Sequence, residues 1–365
     1  MLHDILLSLL GHTGSLIVQT AEGFEVSPEV EIAEPERKCV ARIVNLGHHY
    51  AHLRSFVDQH YNTTQNALLL PGRAPSRCLN LAGSSGLVCQ ALCLGIKDDL
   101  HTYQDAVSKT EQEIYLDPQF PLSQLQVIFA EYHQLFPALS ALLDEISQRK
   151  AFGGQILQIL HLRSFSGVVP VHECMLRYVM KFLITIVSLL SRCNRVLISQ
   201  VRLVVGGAFS DPFDEFFVRR LESSAIPLNT TPKSDSNRTW LLQREMLPDY
   251  IPESLASGVL LIGRFVDLLL HPLTDSHGMC LDFEGLLPAK ERASFDSMLA
   301  ELRSFDVRAI TKVVDSIHSI VSGRLWELVV VKSNLPQQLQ NFRDFFLVSK
   351  GDFFQNLIEV WAKWV

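Results

Sequence analysis

"EMLPDYIPESLASGVLLIGRFVDLLL" occupies residues 245–270. Pro248 and Pro252 bracket a short turn, and the run after Glu253 carries only two charged side chains, Arg264 and Asp267. Leu255, Val259, Ile262, Val266 and Leu269 recur at steps of three and four, which puts them on one face of a helix. Leu260, Leu261, Phe265 and Leu268 widen that face until little of the circumference stays polar. A helix of this kind reads as an internal strut, buried on several sides. Pro252 fits a first helical position, where its missing N–H costs nothing. Gly258 and Gly263 let neighbouring elements approach closely.

The same periodicity extends through the chain. In residues 123–146, Leu125, Ile128, Tyr132, Leu135, Leu139, Leu142 and Ile146 share a helical face, and Ser123 and Gln126 have capping-box spacing. Pro137 predicts a kink there, or a split into two helices. Ile96, Leu100, Tyr103, Val107 and Ile114 form an earlier stripe that Asp117-Pro118 ends. Val307, Ile310, Val314, Ile317, Val321, Leu325 and Leu328 form a later one, with Asp306 near its start. Residues 153–162 and 339–361 also read as helical, the latter interrupted at Gly351. Strand signals are few: "GSLIVQT" at 14–20 reads as a short strand, and Val201–Val205 as either β or helical. The expected fold is all-α, an elongated stack of helical bundles with long polar connections at 62–86, 222–239 and 271–293.

Bulk composition excludes several classes. Hydrophobic residues make up 47% and charged residues 19%, too apolar for a disordered chain. A net charge of −7 argues against a dedicated nucleic-acid surface. Seven scattered cysteines, without a C-x-x-C pair, suit a reducing compartment better than a disulfide framework. "MLHDILLSLL" carries Asp4 and has no basic start, so it reads as a helix rather than a signal peptide. The sequons at Asn62, Asn229 and Asn237 then carry no meaning. The apolar stretch 174–205 is broken by Lys181 and Arg192, leaving about half of the roughly 20 residues a membrane span needs. It reads as a core helix, and no integral membrane insertion is expected.

No active site emerges. "GHHYAHLRSF" puts His48 and His52 one helical turn apart, but the Glu of H-E-x-x-H is absent and no third zinc ligand is marked. Cys89 and Cys93 sit among apolar residues and read as small buried hydrophobes. "GHTGSL" (11–16) and "AGSSGL" (82–87) lack the Lys-Ser/Thr of a phosphate-binding loop and read as turns or helix ends. Asp98 and Asp99 read as a solvated face. No catalytic residue, metal ligand or cofactor is expected, and a long helical chain without chemistry works by touching other proteins.

Ordered stretches carry a resemblance. "MLHDILLSLLGHTGSLI", "LVCQALCLGIKDDLHTYQDAVSKTEQEIYLDP", "LSQLQVIFAEYHQLFPALSALLDEI", "GGQILQILHLRSFSGVVPV", "DPFDEFFVRR", "EMLPDYIPESLASGVLLIGRFVDLL" and "LWELVVVKSNLPQQLQNFRDFFLVSKGDFFQNLIEV" together resemble the gamma-tubulin complex components, most closely component four. The resemblance implies a non-enzymatic scaffold in which residues 1–335 form the lateral-packing half and 336–365 begin the half that holds gamma-tubulin. It implies other complex components as partners, and a place in the cytoplasm at microtubule-organising centres. The chain closes on "WAKWV", so no residue is assigned to gamma-tubulin contact. Residues 183–210 depart from the family pattern, and a Ser/Thr-rich loop at 222–239 stands where some relatives have an acidic linker. A second reading is a membrane-associated or tethering protein using 174–205.

Overall fold

A computed structural model of the chain describes residues 2–14, 16–20, 23–27, 33–68, 86–117, 120–165, 173–221, 239–270, 288–302, 305–332, 334–346 and 351–362. Helix dominates, as the periodicity predicts: twelve α-helices stand among the described residues beside two sheets of two strands each. The chain divides into two units.

The first unit comprises residues 1–200, 210–219 and 242–252. It opens with α1 (Leu2–Leu9) and a hairpin of β1 (Ile17–Thr20) and β2 (Gly23–Val26), paired antiparallel with Ile17 opposite Val26. The strand expected at 14–20 is therefore β1, and its partner went unread because "GFEV" is too short to show alternation. Helix α2 (Glu34–Leu68) is the axis of this unit, and α1, β2, α3 (Leu87–Leu116), α4 (Leu122–Ile128) and α5 (Tyr132–Arg149) all pack on it. Helix α6 (Gly154–Phe165) follows. Helix α7 (Glu173–Val205) begins in this unit and its last turn falls in the second. Val201–Val205 is thus helical, not β.

Tyr103 is the centre of the first core. Its ring lies 4.8–5.7 Å from those of Tyr50, Phe129, Tyr132 and Phe136, and its hydroxyl donates to the Leu9 carbonyl at 3.1 Å. Burial of such rings with their polar atoms satisfied dominates core energetics.

The predicted split of 123–146 occurs, but at Phe129–Glu131 rather than at Pro137, which lies inside α5. The interruption turns Phe129 into the core in place of Ile128, which is half-buried. No capping box forms: α4 starts at Leu122 after Pro121, two residues too early for Ser123 to cap it.

The second unit comprises residues 201–209, 220–241 and 253–365. The strands β3 (Val218–Leu221) and β4 (Thr239–Leu242) went unread in the sequence, being only four residues each. The opening stretch becomes α8 (Glu253–Leu270), and the division between units falls at Pro252–Glu253. The stiff proline turn therefore lies at the last of the five points where the chain passes between the units. Pro252 directly precedes the first helical residue instead of occupying it. Leu255, Val259, Ile262, Val266 and Leu269 are all buried, as expected. The widening residues are not: Leu260, Leu261 and Phe265 are half-buried and Leu268 is 45% exposed. The strut is amphipathic after all, with a broad apolar stripe and one wet edge.

Helices α9 (Ala289–Ala300) and α10 (Val307–Trp326) complete the packing, and α8 and α9 both lie against α10. Asp306 caps α10 by accepting from the Arg308 N–H at 3.0 Å, and Ile310, Val314, Ile317 and Val321 form its buried stripe. Gly258 and Gly263 behave as expected: a Cβ on Gly258 would lie 3.3 Å from Val314, and one on Gly263 would lie 2.9 Å from Val204 and 3.1 Å from Trp240. Trp240 is bound to α8 at both ends, donating to Asp267 at 3.3 Å and accepting from Arg264 at 2.8 Å. A π-helical turn (Glu327–Lys332), α11 (Leu335–Phe346) and α12 (Gly351–Ala362) follow, so the helical run expected over 339–361 is in two helices, the second starting at Gly351.

Two expected loops are shorter than predicted. Residues 62–68 continue α2 and 289–293 belong to α9, because neither polarity nor a nearby proline outweighs helix propagation once a turn exists. The remaining parts, 69–85, 222–238 and 271–287, lie outside the described residues.

Candidate functional site

The histidines of "GHHYAHLRSF" have separate occupations. His48 lies edge-on to Phe24, with ring centres 6.1 Å apart. His52 bridges two helices: its Nδ1 is 2.7 Å from the Ser140 hydroxyl and its Nε2 is 3.3 Å from an Asp144 carboxylate oxygen. Among the described residues no three His, Cys, Asp or Glu side chains converge for a metal ion. This Ser–His–Asp set has no local signature, because Ser140 and His52 are 88 residues apart. Its geometry is that of a clasp. Ser140 is only 6% exposed and sits in the middle of α5. The N–H groups around it are committed to helical carbonyls, so none is left to hold an oxyanion.

Cys89, Cys93 and Cys193 are buried and in no disulfide among the described residues. A hydrogen bond that the Cys93 thiol makes to Cys89, together with burial, pushes the Cys93 thiol up, and burial pushes Cys193 up, which makes both poor nucleophiles. Gly11, in the left-handed region at φ +79°, turns the chain after α1, and Gly86 immediately precedes α3. Asp98 is not merely solvated: it pairs with Arg192 at 2.7 Å.

The most unusual polar group is Glu215, in "DPFDEFFVRR". The Asp211 carboxylate accepts from the N–H groups of Phe213 and Phe216 at 3.3 and 2.9 Å, folding this run into a tight turn. The turn drives Glu215 beneath α3, where it accepts the Val88 N–H at 3.2 Å and caps a helix whose own N-cap residue, Gly86, has no side chain. The fit requires glycine on both sides. A Cβ on Gly86 would fall 1.7 Å from the Glu215 carboxylate, and one on Gly153 would fall 2.7 Å from its carbonyl oxygen.

Burial pushes the Glu215 carboxyl from 4.5 up to about 7, helped by Asp211 and opposed by the N–H groups of Val88, Leu87 and Gly153. A raised carboxyl gives stability that is greatest at acid pH and is lost as pH rises from 4.5 towards 7. That loss is worth roughly 3 kcal/mol. Glu215→Gln keeps an acceptor for Val88 without the charge. We expect it to be close to neutral at pH 5 and stabilising by roughly 2–3 kcal/mol at pH 8. Urea unfolding at both pH values checks this, and equal effects at the two would show that the carboxylate is not paying a burial cost.

Exposed apolar stripes are the other notable feature. On α7, Met180, Ile184 and Val187 line one exposed face, while Ile186, Leu189, Cys193, Leu197 and Ile198 are buried on another. Leu339, Phe342 and Phe346 are exposed on α11, and Phe353, Leu357, Ile358 and Trp361 on α12. Exposed stripes of this size mark surfaces that something else covers.

The family described as gamma tubulin complex component N-terminal matches residues 2–332. The chain belongs to the gamma-tubulin complex component family. It is 26% identical to gamma-tubulin complex component 4 of Arabidopsis thaliana, over 98% of this chain and 57% of the relative. The human component 4 is 25% identical over 98% of this chain and 56% of its own length, and human component 3 is 22% identical over 99% and 36%. The chain thus spans little more than half the length of the component 4 relatives. The matched range takes in α7 and with it residues 183–210, the stretch that departs from the family pattern in sequence.

Proposed function

We propose that this chain is a non-enzymatic structural subunit of the gamma-tubulin complex. It packs side by side with other complex components and so contributes to microtubule nucleation, in the cytoplasm at a centrosome or spindle pole. Residues 1–335 act as the lateral-packing half, and 336–365 open the half that holds gamma-tubulin. The observation that carries this reading is the N-terminal family match over residues 2–332. The exposed apolar stripe of α7 supports it, being the kind of surface that protein neighbours cover. A tagged chain recovered from cell lysate is expected to bring other components with it, and gamma-tubulin only through them. Recovery of no component would overturn the proposal.

A membrane-associated role has one observation in its favour. Met180–Val205 is long and apolar enough to cross a bilayer by length and composition, more so than the uncharged run 182–191 suggests. Against it, α7 is committed to protein contacts along its length. Lys181 pairs with Glu131, Arg192 with Asp98, and Asn194 accepts from the Tyr250 hydroxyl at 2.5 Å. Carbonate extraction of membranes is expected to release the chain, whereas retention in the pellet would favour the membrane reading.

A further inference from the structure

Between α2 and the α4–α5 pair lies an open cleft of about 650 Å³, within the size range of ligand sites. One wall is Arg42, Asn45, Leu46 and His49 of α2, and the other includes Ser123, Gln126, Val127, His133 and Pro137. Its chemistry is one-sided. Among the described residues that line it there is no Asp or Glu, while a guanidinium, two imidazoles and several amide and hydroxyl donors are present. His133 lines the cleft, and its Nε2 is buried with no hydrogen-bond partner among the described residues, a cost carried by the empty cleft. Burial and the charge of Arg42 hold His133 below its usual value, and burial with His48 and His52 does the same to His49, against a small opposing pull from Asp144. Burial leads both shifts, and the lining itself, with Arg42 and no carboxylate, leaves the cleft short of negative charge. Val127, 75% exposed, and Pro137 add an apolar margin that suits a side chain better than a bare ion.

We propose that this cleft binds a phosphate monoester carried on a polypeptide side chain, with Arg42 as charge anchor and His49, His133, Ser123 and Gln126 as hydrogen-bond partners. A phosphate offers three terminal oxygens, which donors approaching from two walls can satisfy together, and a planar guanidinium can hold two of them at once. The chain's net charge of −7 disfavours nucleic acid as the source of that phosphate. This proposal stands independently of the role in the gamma-tubulin complex.

The test uses the whole chain with imidazole carbons labelled, titrated with a phosphoserine tripeptide. The serine and glutamate forms of the peptide, and inorganic phosphate, serve as separate arms. Expected are saturable shifts of the His49 and His133 signals with the phosphoserine peptide, and affinity lower by roughly tenfold in Arg42→Gln. Arg42 is exposed, so that variant keeps the fold, which an unchanged melting curve verifies. Affinity should rise as pH falls from 7.5 to about 6, because the bound dianion favours protonated imidazoles; below that the phosphate itself loses charge. Equal binding of the serine peptide, or no saturable shift, would overturn the proposal. Inorganic phosphate binding as tightly as the peptide would overturn the polypeptide source. Preference for glutamate would overturn the phosphate.

Discussion

Val259→Asp is expected to unfold the second unit. Val259 and Ile262 are both fully buried, and α8 meets α10 at this level, where Gly258 faces Val314. A carboxylate there has no cation to pair with from its own helix. Arg264, the only basic residue of α8, donates to the Trp240 carbonyl at 2.8 Å. The substitution removes an apolar side chain and buries a charge without a partner, together about 5 kcal/mol or more. A unit of ordinary stability has little beyond that to lose. The expected outcome is insoluble protein, or a chain in which the amides of α8 and α10 exchange rapidly while those of α2 and α3 stay protected. Leu268→Asp is the control: at 45% exposure on the wet edge, it should change stability by no more than about 0.5 kcal/mol. An unchanged melting curve for Val259→Asp would mean that the apolar stripe of α8 is not a core surface.

What the sequence made legible follows from one property, repetition at 3.6 residues. The stripes of α8 and α10 and the Asp306 cap can be read directly, because each signal recurs within one element. What stayed hidden depends on residues distant in the chain. The bend at Phe129–Glu131 comes from the aromatic cluster around Tyr103, which draws Phe129 inward, and no local breaker announces it. Four-residue strands such as β3 and β4 are too short to show a period of two. Composition also misled where α2 runs on through "NTTQNAL", since a polar stretch with poor propensity still continues a helix that is already formed.

The polar centres were less legible than the fold. His52, Ser140 and Asp144 meet only because α2 and α5 lie side by side, and the donors of the α2–α4–α5 cleft converge for the same reason. Glu215 left one usable trace: a glutamate followed by Phe216 and Phe217 is a carboxylate that the chain must carry inward along with its neighbours. Its partners, Val88, Gly86 and Gly153, are far off in sequence. The His52 clasp and Glu215 need not be catalytic, because each ties separate elements of the chain together.

Gly47→Ala is expected to detach α1. Gly47 lies in the middle of α2, where alanine is intrinsically favoured by about 1 kcal/mol. Here the sign reverses. A Cβ at this position would fall 1.8 Å from the Ser8 carbonyl oxygen and 2.7 Å from its carbon. These are backbone atoms, so no side chain can rotate away, and either α1 or α2 must move. Overpacking of this severity costs about 3–4 kcal/mol. The yielding element is α1, which has only eight residues and is held by the buried Ile5, Leu6 and Leu9 and by the Tyr103 hydroxyl on the Leu9 carbonyl. Hydrogen exchange should show the amides of α1 losing protection while those of α3 and α5 keep theirs. Removal of the Tyr103 hydroxyl by Tyr103→Phe leaves the backbone contact intact and should cost only about 1 kcal/mol. If Gly47→Ala were instead stabilising, helix propensity would outweigh packing at this crossing, and α1 would not lie against α2 as closely as the structure has it.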